Sequence, residues 1–113
     1  MRSIRFLAFI LLSSWAGGGA ASADCYDVFG CPNANRFRFA DLMDGPNCDF
    51  LYLMRNQIYA DHGYCFHTPH AIATFGNANC VSDDVNALPL NGYERANAVT
   101  ILRAEHAKAC PEW

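Results

Sequence analysis

Apolar residues recur at helical spacing in two stretches of the chain. In CDFLYLMRNQIYADH (48–62), Leu51, Met54, Ile58 and His62 fall at i, i+3, i+7 and i+11. That is one stripe on a 3.6-residue period, and Phe50 and Leu53 widen it. No residue inside the stretch breaks a helix. Gly63 follows, where a left-handed C-terminal position favours glycine. The second stretch runs over about 92–108. Asn91 followed by Glu94 is a capping-box-like start, and Ala98, Ile101 and Leu102 form the stripe, with Ala109 near its end. Between the two, Thr68 as N-cap, Pro69 at the first helical position and Gly76 as stop predict a helix of two turns.

The remaining segments lack this period. NANCVSDDVNALP (77–89) reads as a loop. RFRFADL (36–42) alternates charge with aromatics, so Phe37 and Phe39 are expected to share one face of a short extended segment, and MDGPN (43–47) is a turn. The pattern predicts a mainly α domain with two longer antiparallel helices, a short middle helix and an irregular N-terminal segment. Tyr52 lies opposite the centre of its stripe and is expected to be exposed, whereas Tyr59 and Tyr64 are expected in the core.

Residues 1–23 follow a different logic. Arg2 and Arg5 make a basic start, Phe6 to Trp15 is apolar apart from Ser13 and Ser14, and Ala21-Ser22-Ala23 is a cleavage pattern. This reads as a secretory signal peptide, too short to anchor the chain across a bilayer. Asp24 directly before Cys25 argues against lipidation. The expected division is a signal peptide over 1–23, an irregular disulfide-looped segment over 24–46 and a helical domain over 47–113. Cleavage would remove two of the eight basic side chains and none of the 11 acidic ones, shifting the balance from -3 to -5. Such a chain repels nucleic acid and anionic lipid.

All six cysteines (25, 31, 48, 65, 80 and 110) lie beyond the leader. An even count in a short exported chain reads as three disulfides. The five-residue gap between Cys25 and Cys31 suits a local loop. If the two longer helices pack antiparallel on their stripes, Cys48 and Cys110 meet at one end of the pair, and Cys65 and Cys80 flank the short helix at the other. The expected links are therefore Cys25–Cys31, Cys48–Cys110 and Cys65–Cys80. The same register brings two charges together. Arg55 lies on the first stripe, seven residues from Cys48, and Glu105 on the second, five residues from Cys110. At a rise of about 1.5 Å per residue their depths differ by only about 3 Å, so a structural ion pair across the interface is expected.

The stretches CDFLYLMRNQIYADHGYCF, TFGNANC and TILRAEHAKAC resemble the YARHG domain, a small domain of bacterial exported and envelope proteins, over about residues 47–110. Its Tyr-Ala-Arg-His-Gly motif reads here as Tyr59, Ala60, Asp61, His62 and Gly63, with the usual Arg reversed in charge to Asp61. The resemblance implies export and a compact helical domain, and no particular chemistry.

Three sets of side chains have the composition of a chemical site. His62, His67 and His70, with Asp61 adjacent, carry zinc-compatible donors. No HExxH or CxxC pattern appears, and the favoured reading is a helix-end His62 near the last carbonyls with exposed His67 and His70. Cys65 between His62 and His67 would need a free thiolate to act as nucleophile, which a disulfide denies it. Asp83, Asp84 and Asn86 lack the ordered spacing of a calcium loop. Catalytic residues are therefore not assigned, and no cofactor is implied. The expected function is a non-enzymatic domain, periplasmic or secreted, that binds an envelope protein or a cell-wall polymer. The alternatives are an acidic inhibitor of a basic exported enzyme such as lysozyme and, disfavoured, a small hydrolase or zinc protein.

Overall fold

The computed structural model describes residues 25–113; the leader read over residues 1–23 lies outside the described residues. Four helices follow in order: α1 (Phe39–Asp44), α2 (Cys48–Asp61), α3 (Pro69–Phe75) and α4 (Gly92–Ala107), with a 3₁₀ turn at Val85–Ala87. Among the described residues there is no strand, only two isolated bridges, and no helix long and apolar enough to cross a membrane.

Capping chemistry sets the helix starts. The Asn47 side chain accepts the Phe50 amide at the head of α2, and Thr68 accepts the Ala71 amide ahead of Pro69 in α3. At α4 the box is complete. Asn91 Oδ1 accepts the Glu94 amide, and Glu94 Oε1 accepts the Asn91 amide, both at 2.9 Å. Two disulfides and a loop arrange these elements. Cys48, opening α2, is bonded to Cys110, just past α4, and Cys65 to Cys80 around α3; Cys25 closes on Cys31 in the N-terminal loop. The start of α2 thus meets the end of α4, which makes the two helices antiparallel.

The main core lies where α1, α2 and α4 converge. Leu42 of α1, Leu51, Met54 and Ile58 of α2, and Ala98, Ile101 and Ala104 of α4 are buried together, with Phe37 and Leu88. Asn97 faces this side of α4 and is buried as well. Its Oδ1 accepts the Phe37 amide at 2.8 Å, and its Nδ2 donates to Pro32 O and Asn35 O. One amide side chain therefore fastens the N-terminal loop to α4, and its buried polar atoms are all matched.

Four expectations are corrected. Residues 39–44 are helical, not extended. No side chain caps this helix at Arg38, so burial of Leu42 against α2 and α4, rather than local preference, holds it. Tyr52 is only 7% exposed. α3 and the C-terminal residues cover it, with His70, Phe75 and Trp113 around the ring, in a second cluster with Phe66 and Ala71. Phe50, Leu53 and Leu102, assigned to the stripes, lie on the helix flanks and are exposed. Ala109 is exposed at a left-handed φ of 52° that ends α4. Tyr59 and Tyr64 are half-buried and pack against the main core.

Candidate functional site

The motif at the end of α2 is a joint between three parts of the domain. The Tyr59 ring lies 5.9 Å from that of Tyr64, tilted by 54°. His62 Nε2 lies 2.6 Å from Glu94 Oε2. A carboxylate is acceptor-only, so the ring N–H donates. Both Glu94 oxygens are therefore engaged, one closing the α4 cap and one holding His62. Gly63 has φ +82°, and its carbonyl accepts the Val81 amide at 2.6 Å, which attaches the loop after Cys80. A Cβ at position 63 would sit 2.9 Å from Val81 Cγ2. Gly63→Ala is expected to cost about 1–2 kcal/mol from the left-handed backbone alone, read as a lower urea midpoint. Adding Val81→Ala should recover only the contact component.

Asp61 is the motif residue turned outward. It is exposed, and its Oδ1 accepts Gln57 Nε2 at 2.7 Å, one turn back on α2. Beside it opens a cleft of about 560 Å³. The buried side chains of Met54 and Ile58 line its base, with Tyr26 and Pro89 at the sides. Asn33, Gln57, Asp61, His62, Asn91 and Glu94 are its polar lining. Among the described residues, no lysine, arginine, serine, threonine or cysteine lines this cleft. The His62–Glu94 arrangement orients an imidazole as a carboxylate does in acyl-transfer enzymes, but no aliphatic hydroxyl or thiol lies in the cleft to be activated. What the geometry provides is hydrogen bonding of both senses above an apolar base.

The ion pair lies deeper, across the same two helices. Arg55 Nε donates to Glu105 Oε1 and Nη2 to Oε2, each at 2.9 Å, with side chains 19% and 9% exposed. Burial draws the Arg55 pKa down, but the Glu105 carboxylate more than offsets this, and the guanidinium is held above its ordinary value. This bidentate pair is structural and does not line the cleft.

The three histidines are not brought together. His62 is on Glu94, His67 lies 3.4 Å from Asp83 at the surface, and His70 stacks on Trp113 at 4.5 Å. Among the described residues no group of three or more His, Cys, Asp or Glu is placed to share a metal. Cys65 is bonded to Cys80, which removes the thiolate. Asp84 caps the 3₁₀ turn by accepting the Asn86 amide, a structural use for that acidic pair.

A family model for the YARHG domain matches residues 29–106, more than half of the chain. The chain belongs to the YARHG family. No curated protein and no solved structure matches it. The match begins at residue 29, so the YARHG model takes in α1 and part of the N-terminal loop as well as the motif. Together with three disulfides, membership fits a small cross-linked domain working outside the cytoplasm. Within the YARHG motif, Tyr59, His62 and Gly63 are engaged in holding the fold, while Asp61 faces solvent beside the cleft. Pattern reading missed the His62–Glu94 link. His62 and Glu94 stand at the same end of two antiparallel helices, and that register was the available signal.

Proposed function

We propose that this YARHG domain is a non-enzymatic binding module of the bacterial envelope. Residues 1–23 export it to the periplasm or beyond, and its cleft holds a segment of a cell-wall polymer. The observation carrying this reading is the cleft itself. Gln57 Nε2 carries a second N–H beyond the one given to Asp61, the Asp61 carboxylate can accept, and Met54 and Ile58 supply apolar surface. A sugar presents hydroxyls that both donate and accept, beside apolar ring faces, and such a chain matches this set. A cleft without cations suits a neutral stretch of polymer better than an anionic one.

The test is co-sedimentation of the oxidised protein with purified peptidoglycan. The wild type is expected in the pellet. A Gln57→Ala/Asp61→Ala double variant should need about tenfold more polymer for the same bound fraction. Its thermal midpoint should change little, because both side chains are on the surface and their mutual bond is worth only about 0.2–0.5 kcal/mol. A wild type that stays in the supernatant, or a double variant that pellets equally well, rejects the proposal.

A further inference from the structure

A second surface, adjoining the cleft only at Tyr26, has a different chemistry. The N-terminal loop is closed by Cys25–Cys31 and stiffened by reciprocal backbone bonds between Tyr26 and Gly30, at 2.9 and 2.8 Å. Its apex presents Val28, 74% exposed. Val28 and Phe29 line one groove with Pro46 and Phe50, of about 440 Å³. Phe50 is itself 39% exposed, and its ring stands 5.7 Å from that of Tyr26. Asp41 and Asp44 line the same groove, and Asp27 lies where it continues past Val28. Among the described residues, no lysine or arginine lines either part. Lys108 donates its ammonium to the carbonyl of Pro46, which lines this groove.

An apolar groove that also carries carboxylates has a definite complement. We infer that this groove docks a basic protein partner, through an apolar side chain flanked by lysine or arginine. The apolar side chain would enter between Val28, Phe29 and Phe50, and its cationic neighbours would meet Asp27, Asp41 and Asp44. Two features favour a protein over a polymer here. The groove is lined by Val28, Phe29, Pro46 and Phe50, an apolar set of the kind that fills the core of an interface, and its lining charges are all carboxylates. A disulfide also fixes the loop before binding, so little order is lost on association. Charges of one sign accelerate encounter with an oppositely charged surface and make it sensitive to salt. The inference is independent of the cleft reading, since it uses none of the cleft's polar side chains.

The probe is a twelve-residue peptide alternating lysine and leucine. Controls replace lysine by glutamate or leucine by serine. Binding to the oxidised protein purified from an exporting host is followed by titration at low and at high salt, and amide shifts map the contact. The lysine–leucine peptide is expected to bind at least tenfold more tightly than either control, and to weaken as salt rises. Its shifts should centre on Val28, Phe50 and Asp41. Val28→Ser, and separately the Asp41→Asn/Asp44→Asn double variant, should each weaken it by about tenfold, with unchanged thermal midpoints. Asp61→Ala should leave it unchanged. Equal binding of the lysine–serine peptide, shifts centred on the cleft, or full affinity in Val28→Ser would each overturn the inference. A lysine–leucine peptide that fails to bind would do the same.

Discussion

Replacing Cys48 and Cys110 together by alanine is expected to lower unfolding free energy by about 4 kcal/mol. The bond joins residues 62 apart in sequence, whereas Cys65–Cys80 spans 15 and Cys25–Cys31 only 6. A cross-link restricts the unfolded chain more as its loop lengthens, which puts the other two nearer about 3 and about 2 kcal/mol. The native geometry adds to the contrast. Cys48–Cys110 clamps the α2–α4 pair at the end opposite His62–Glu94, so its loss frees one end of the main core. Urea denaturation of the three paired-alanine variants under oxidising conditions gives the ranking. Equal losses in all three, or an unchanged midpoint without Cys48–Cys110, would contradict it.

Arg55→Ala is expected to cost about 3 kcal/mol, and Glu105→Ala a comparable amount. These values lie at the low end for buried pairs, because 19% of the Arg55 side chain remains in water. Most of the loss comes from the partner left charged and unmatched in a largely buried site. A double replacement by apolar residues of similar volume, Arg55→Met with Glu105→Leu, should recover most of it. A double-mutant cycle then separates pairing from burial. Coupling of about 2 kcal/mol or more is the expected result, and additive single losses would show that the two side chains act independently.

The parts of the fold legible from sequence are those with local chemistry. Thr68-Pro69 and the Asn91–Glu94 box satisfy orphan amides within a few residues, so they mark helix starts without reference to the rest of the chain. Arg55–Glu105 is readable one level higher, because two apolar stripes and the cysteines at their ends define a register. α1 is not readable in this way. It has six residues and no side-chain cap, and it exists because Leu42 finds α2 and α4. Tyr52 was misplaced for a related reason. A stripe argument considers one partner helix, and the second partner of α2 is α3 together with Trp113, far along the chain. Asn97 carries three bonds to residues 60 or more positions away, and nothing near it in sequence marks that use. At the candidate site, a satisfactory local role concealed a second one. Glu94 completes a cap and His62 ends a helix, so neither residue appeared to need the other.

The disulfides at Cys65–Cys80 and Cys48–Cys110 are nested, the smaller ring lying wholly inside the larger. A single peptide-bond cut anywhere between Cys48 and Cys110 therefore opens the backbone without releasing a fragment. Both pieces stay tethered through sulfur, and the helices that meet in the core remain within reach of each other. In a protease-rich surrounding, a nick in the exposed 81–87 loop would leave the assembly connected until a reductant arrived.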